Sequence, residues 1–290
     1  METIITTATA AKNKTMNTTR EPIFVIGGNG KTGRRVVTRL TDLGWPVTIG
    51  SRSSSPAFDW HDANTWTPAL KGMNAVYITY QPDVAVPGAT DAIKKLTEVA
   101  VKAGVKKLVL LSGRGEAEAQ ECEQIVIGSG LDWTVVRASW FCQNFSEGSF
   151  YDPIMAGHVA LPVGDVKEPF IDIDDIADVV TAALTEEGHN GKIYEVTGPV
   201  MLTFREAIAE IAKATGRPIE FEQVSMEDYA AALAEYQLPP DIIWLITYLF
   251  TEVLDGRNQS IHNGVEEALG RKATSFSAYV KKAVEAGAWA

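Results

Sequence analysis

Six residues at 22–27, PIFVIG, make a short apolar run that ends in glycine and passes through G-N-G-K-T-G at 28–33 into a helical pattern. An apolar run of that length, bounded by glycines, predicts a strand buried in a parallel sheet. The helix predicted over 31–43 carries Val36, Val37, Leu40 and Leu43 on one face. Gly27, Gly30 and Gly33 give the spacing G-x-x-G-x-x-G. The first glycine permits the sharp turn, the second lets backbone N–H groups approach a pyrophosphate, and the third lets the helix lie close on the strand. A glycine-rich turn alone carries little, but between a strand and a helix it predicts a dinucleotide-binding turn.

Gly30-Lys31-Thr32 invites comparison with the end of an ATP-binding P-loop. That loop needs a glycine five residues before its G-K-T glycine, and position 25 is Val25. The turn is therefore too short to wrap a β-phosphate, and an ATPase or kinase reading is set aside. NAD enzymes place an acid roughly 20 residues further on to hold the ribose 2′-hydroxyl. Here the second strand ends Gly50-Ser51-Arg52-Ser53, with Arg52 nineteen residues after Gly33. A guanidinium there favours a 2′-phosphate, with the Ser51 and Ser53 hydroxyls adding hydrogen bonds, so NADP(H) is expected over NAD(H).

Beyond the turn, further strands are predicted at 46–51 (PVTIGS), 57–60, 74–80 (NAVYITY), 107–112 and 132–138 (DWTVVRA), with helices over 87–103 and 116–129. Strands separated by helices of this length predict a parallel sheet with right-handed crossovers. After residue 140 the rhythm changes to a Gly- and Pro-containing loop running to about 169. A helix over 174–187, a strand at KIYEVTG, a helix over 203–215 and a mostly helical last seventy residues follow. The fold expected is α/β, a Rossmann-type doubly wound parallel sheet with a small C-terminal α/β cap over the carboxyl edge, where ligands bind in such folds. Residues 1–20, rich in Thr and Ala, are expected to form a disordered arm, with an alternative start at Met16 and no apolar stretch of a secretory signal. Residues 21–155 are expected to form the core, and 156–290 mainly the cap, with some segments returning to the core.

A net charge of −11 argues against a nucleic-acid partner. No apolar run reaches the roughly 18 residues of a membrane span. Two isolated cysteines, Cys122 and Cys142, and four scattered histidines predict a reducing, cytoplasmic compartment and no metal site. The acids at 172, 174, 175 and 178 are read as a helix start, with Asp174 capping it and Asp175 and Asp178 complementing the helix dipole. Cys142, lacking a cationic neighbour, is expected to be a small buried hydrophobe.

Several segments resemble the NmrA-like group of atypical short-chain dehydrogenases across nearly all of 22–289: VIGGNGKTG, SRSSS after the second strand, KKLVLLSGRG, LDWTVVRASWFCQNF, PFIDIDDIADVVTAALTE and KIYEVTGP-x-x-LTF. The opening turn with SRSSS is also locally similar to the fungal ergot-alkaloid dehydrogenases of that group, which reduce an iminium. The resemblance implies that Gly27, Asn29, Gly30, Lys31 and Thr32 hold the pyrophosphate, and that Arg52 holds the 2′-phosphate. It places Asp59 and Trp60 near adenine, and Thr79, Tyr80 and Gln81 along the ribose or nicotinamide. Ser112 and Gly113 fall beside the nicotinamide, with Ala138, Ser139, Trp140 and Phe141 closing over its ring. Many relatives carry proline where Ala138 stands. The group holds both NADPH-dependent reductases of quinones, azo compounds and imines and redox sensors that bind NADP(H) without turnover.

The main short-chain dehydrogenases use Tyr-x-x-x-Lys, in which lysine lowers the tyrosine pKa for proton exchange with a carbonyl. None of the eight tyrosines has Lys four residues on, and the helix where that tyrosine would fall reads GEAEAQECEQIV. An iminium or quinone is already electrophilic, so orientation over the nicotinamide can carry much of the rate. Candidate proton donors are Ser112, Tyr80, Tyr151 and His158, and water is the alternative. Trp140, Phe141, Tyr151 and Tyr248, with Phe145 and Phe250, are candidate walls of an apolar substrate pocket. The stretch at 242–254 is read as a dimer contact or a lid. The expected function is an NADPH-dependent oxidoreductase that reduces a small apolar electrophile (a quinone, imine or conjugated carbonyl) by hydride transfer, as monomer or homodimer. The alternatives are a non-catalytic NADP(H) sensor that binds a protein partner and, third, an isomerase or epimerase.

Overall fold

The computed structural model describes residues 20–290, so the arm expected at 1–20 lies, apart from Arg20, outside the described residues. From there β1 (Ile23–Ile26), α1 (Lys31–Asp42), β2 (Val47–Gly50), α2 (Trp66–Leu70), β3 (Ala75–Ile78), α3 (Ala89–Ala103), β4 (Lys107–Gly113), α4 (Ala117–Ile127) and β5 (Asp132–Ala138) follow in sequence. Then come α5 (Tyr151–Ala156), β6 (His158–Leu161), β7 (Lys167–Glu168), α6 (Ile173–Thr185), β8 (Lys192–Val196), β9 (Leu202–Thr203), α7 (Phe204–Thr215) and β10 (Glu220–Gln223). Four helices close the chain: α8 (Met226–Glu235), α9 (Pro240–Tyr248), α10 (Gly264–Leu269) and α11 (Phe276–Glu285).

Six strands form one parallel sheet in the order β2-β1-β3-β4-β5-β8. Alternation along each strand divides the core into two layers. Ile23 and Val25 of β1 pack with Val36 and Leu40 of α1 and with α6, whereas Phe24 and Ile26 pack with α2, α3 and α4 on the opposite face. The protein is thus α/β with helices on both faces of the sheet. The chain runs outward from β1 to β2 and returns across the sheet to β3. The carboxyl ends of β1 and β3 therefore part, which opens the crevice in which ligands bind in open α/β sheets. A third cluster, with Phe145, Phe170, Phe204 and Phe250 among its members, sits beyond the carboxyl edge under the two small sheets.

Several expectations change. Residues 57–60 are not a strand: Phe58 N bonds back to Ser51 O at 2.9 Å, Asp59 bridges Asp62, and the aromatic side chains bury themselves locally, so the sheet ends at β2. The stretch 140–169, expected as a loop, contains α5, β6 and β7. The partners of these strands come from far along the chain, β6 pairing with β10 and β7 with β9. Asp174 does not cap α6. Asp172 does, its carboxylate accepting from Asp174 N at 2.9 Å, because the helix begins one residue earlier than predicted. Among the described residues no helix is long and apolar enough to cross a membrane.

Candidate functional site

The turn after β1 is built by its glycines. Gly27 has φ of +66°, in the left-handed region that favours glycine, and its carbonyl accepts from Gly30 N at 2.7 Å. A Cβ on Gly33 would run into that same carbonyl, so the helix can lie this close only with glycine there. Gly30 caps α1 without any side-chain hydrogen bond. The first-turn N–H groups at Lys31, Thr32 and Gly33 thus have no intrahelical partner and face the crevice end, where the helix dipole favours an anion. Lys31 is half-buried beside Gly148. Burial lowers its pKa, against the opposing pull of Glu147.

A cavity of about 800 Å³ runs from this turn to the end of β2. Gly27, Asn29, Gly30, Ser51, Arg52, Ser53, Asp59, Trp60, Thr79 and Gln81, all singled out from sequence, border it together. Arg52 is exposed and makes no hydrogen bond or ion pair to the described residues, so its guanidinium is open to an anion. Trp60 is held in place by its indole N–H, which donates to Thr79 O at 3.1 Å, and by the Tyr80 ring at 4.7 Å. Asp59 Oδ1 accepts from His61 N at 3.0 Å, a local turn that fixes this rim.

A smaller cavity of about 190 Å³ opens beyond Thr79, at the ends of β3, β4 and β5. Tyr80, Ser112, Gly113, Ala138, Ser139, Trp140 and Phe141 meet there as expected from sequence. The Ser112 hydroxyl is committed, since it donates to Glu123 Oε1 at 2.6 Å while Arg137 holds both oxygens of that buried carboxylate. Tyr80 is half-buried, and burial raises its pKa, with the Cys122 charge a further cause. The third cavity, about 1120 Å³, shares Thr79 with both others and Tyr80 and Trp140 with the small one, and is walled by α8 and α9. Its lining is mostly apolar, with Phe150, Tyr229, Leu233, Leu245 and Phe250 prominent, and Lys31 and Thr32 border its inner end.

Three predicted wall residues stand elsewhere. Tyr151 and Tyr248 border none of these three cavities. In α5 the turn presents Asp152 and Pro153 to the cavity, and Tyr151 packs into the third core cluster. In α9 Leu245 and Ile246 face inward, so Tyr248 is carried to the far side, where its hydroxyl donates to Glu118 Oε2 at 2.7 Å. Phe145 is fully buried core. His158 does border the large cavity, with Nε2 3.0 Å from Glu222 Oε2. Cys142 is buried, and burial holds its thiol well above the ordinary range, which keeps it inert. Sequence reasoning missed Asp83, Glu116 and Asn144, all bordering the small cavity. The signal within reach was that 83 and 116 each lie a few residues beyond a strand's carboxyl end.

These residues fit a nicotinamide dinucleotide: an uncapped helix start, a cradle that admits no Cβ at Gly27 or Gly33, and an unpaired guanidinium one strand away. Residues 27–187 match the model of a family described as NAD(P)H-binding. The (4-alkanoyl-5-oxo-2,5-dihydrofuran-3-yl)methyl phosphate reductase of Streptomyces griseus is 32% identical over 287 residues, covering 91% of this chain and 98% of that protein. Agroclavine dehydrogenase of Claviceps fusiformis is 29% identical over 276 residues, covering 89% and 96%. An NADPH-dependent quinone oxidoreductase from Escherichia coli, solved in complex with NADPH, matches in fold with a TM-score of 0.76 at 22% identity, over 90% of this chain and 99% of that one.

Proposed function

The chain belongs to this NAD(P)H-binding family and is a reductase dependent on that cofactor, and we propose that it prefers NADPH and reduces a small apolar electrophile such as a quinone, imine or conjugated carbonyl. The observation that carries this reading is the continuity of the cleft: Thr79 and Pro82 border all three cavities, so a dinucleotide trough leads without a break into an apolar chamber. On this reading the α1 start and Lys31 bind the pyrophosphate, and Arg52 with Ser51 and Ser53 binds the 2′-phosphate. Trp60 and Asp59 border the adenosine end. Tyr80, Gly113, Ala138 and Trp140 hold the nicotinamide against the chamber. When bound, the reduced nicotinamide supplies a hydride. The chain orients the acceptor and excludes water, which suits an acceptor that is already electrophilic.

Calorimetry with NADPH and NADH on the wild type and Arg52→Ala tests the preference. A guanidinium–phosphate pair is worth about 1.5–3 kcal/mol, so NADPH affinity should fall roughly 10- to 100-fold while NADH affinity stays nearly level. Loss of nicotinamide absorbance with a panel of quinones and imines then tests turnover. NADPH bound equally well by Arg52→Ala overturns the cofactor preference. Tight binding without reduction of any acceptor replaces the reductase by the non-catalytic sensor.

A further inference from the structure

We propose that Glu116 and Asp83 form a proton-donating pair at the inner end of the cleft, serving acceptors that need a proton as well as a hydride; the proposal rests on the reductase reading. Both carboxyl groups border the small cavity with Tyr80 and Gly113. Glu116 is only 6% exposed, and its Oε2 has no hydrogen-bond partner among the described residues. Its carboxyl lies directly over Gly113, where a Cβ would overlap its oxygens, so the glycine that ends β4 leaves room for this acid. Asp83 meets it from the loop after β3, where Oδ1 accepts from Ala85 N at 2.8 Å. Asp83 is partly exposed and also borders the large cavity, so it links the buried acid to solvent.

Two ionised carboxylates have no proton to share, and Glu116 Oε2 would stay unsatisfied. One proton between them lets an O–H fill that gap. The surrounding charges favour keeping it. Glu118 and Glu123 face the pair from α4, the former held by Tyr248 of α9 and the latter by Arg137. Arg114, which borders the same cavity, is spent on Glu195 Oε1, Asn258 O and Ser260 Oγ, each at 2.6 Å. Tyr80 borders the same cavity, and the thiol of Cys122 on α4 is raised by burial and, to a lesser degree, by the Asp83 charge. Burial first, then the Asp83 charge and those of Glu118 and Glu123, holds the Glu116 carboxyl well above its ordinary range. Burial also raises Asp83, against the pull of the Ala85 N–H.

A quinone that has accepted a hydride carries its negative charge on an oxygen. The shared proton forms the O–H bond there, the carboxyl O–H bond breaks, and the doubly ionised pair regains a proton from water through Asp83. The cofactor is oxidised, the quinone gains two electrons and two hydrogens, and the pair is unchanged. An N-alkylated iminium, in contrast, becomes a neutral amine on taking the hydride alone.

Glu116→Gln and Asp83→Asn test this by two readouts. Infrared difference spectra of the cofactor-free protein at pH 7, wild type minus Glu116→Gln, should show a protonated-carboxyl band of the pair, the Glu168 contribution cancelling between the two proteins. With NADPH bound, the quinone kcat should fall roughly 100-fold in either variant, with a basic pH limb in the wild type that the variants lack, while kcat for an N-alkyl iminium changes less than about 3-fold. Absence of the band, or equal slowing of both acceptors, overturns the proton-donor role and leaves the reductase reading standing. No turnover of either acceptor by the wild type overturns the reductase reading and the donor role together.

Discussion

Glu168 shows how a single buried side chain carries a pH dependence that no motif announces. It is 1% exposed on β7, with one oxygen 3.5 Å from Trp140 N and the other unpartnered. Burial raises its pKa to about 7 from an ordinary 4.5, against the Arg114 charge and the Trp140 N–H. A carboxyl raised in the folded state contributes stability below its unfolded pKa and loses it as pH rises through the folded value. The stability conferred at this position therefore declines from about pH 4.5 to about pH 7. Glu168→Gln should leave denaturant stability nearly unchanged at pH 4.5 and raise it by about 3 kcal/mol at pH 8. A gain of the same size at both values would show that ionisation of Glu168 is not its cause. The glycines of the phosphate turn were legible in sequence because each meets a local steric demand. Glu116 was not, because its significance lies in Gly113 and Asp83, which reach it only through the fold.

Among the elements, α6 was found from sequence as a helix opened by acids, but its acids do different work from that expected. Asp172 caps the helix and also accepts from Gln143 Nε2 at 2.6 Å, while Gln143 Oε1 accepts from Ile173 N at 2.9 Å. This exchange ties the turn after β5, which carries Trp140, to the start of the helix. Asp175 is buried and accepts from Arg271 at 2.7 Å and from Thr274 N at 2.6 Å. Asp174 and Asp178 pair with Arg35 and Arg39 of α1 and with Lys282 and Arg271. Tertiary ion pairs thus take up charges that a lone helix would turn toward its own dipole. Asp172→Ala removes a cap and strands Gln143, and should cost about 2–3 kcal/mol in chemical denaturation. Asp172→Asn, which keeps an acceptor for Asp174 N, should cost less than half of that; equal losses would rule out the cap as the source.

Over the whole molecule, the trough and the chamber share Gly27, Gly30, Thr79, Gln81 and Pro82, but the chamber wall on α8 and α9 comes from a distant part of the chain, and this makes it separable. Leu245 is 7% exposed and faces the large cavity from α9, far from the phosphate turn. Leu245→Trp should fill part of the chamber, raising KM for a bulky quinone by roughly tenfold, the scale of a lost apolar contact or a steric clash, with NADPH affinity unchanged by calorimetry. An unchanged KM would remove the chamber from acceptor binding. The sequence alone determined the parallel α/β core, the glycine turn after β1 and which residues border the trough. Strand alternation, helix periodicity and glycine spacing are properties of neighbouring residues. Tertiary structure alone decided the strand-like 57–60 in favour of a local aromatic cluster, the pairing of β6 with β10, the inward face of α9, and the meeting of Asp83 with Glu116. Each of these depends on which of several sterically allowed partners is close in space, and that is set by the packing of segments far apart in the chain.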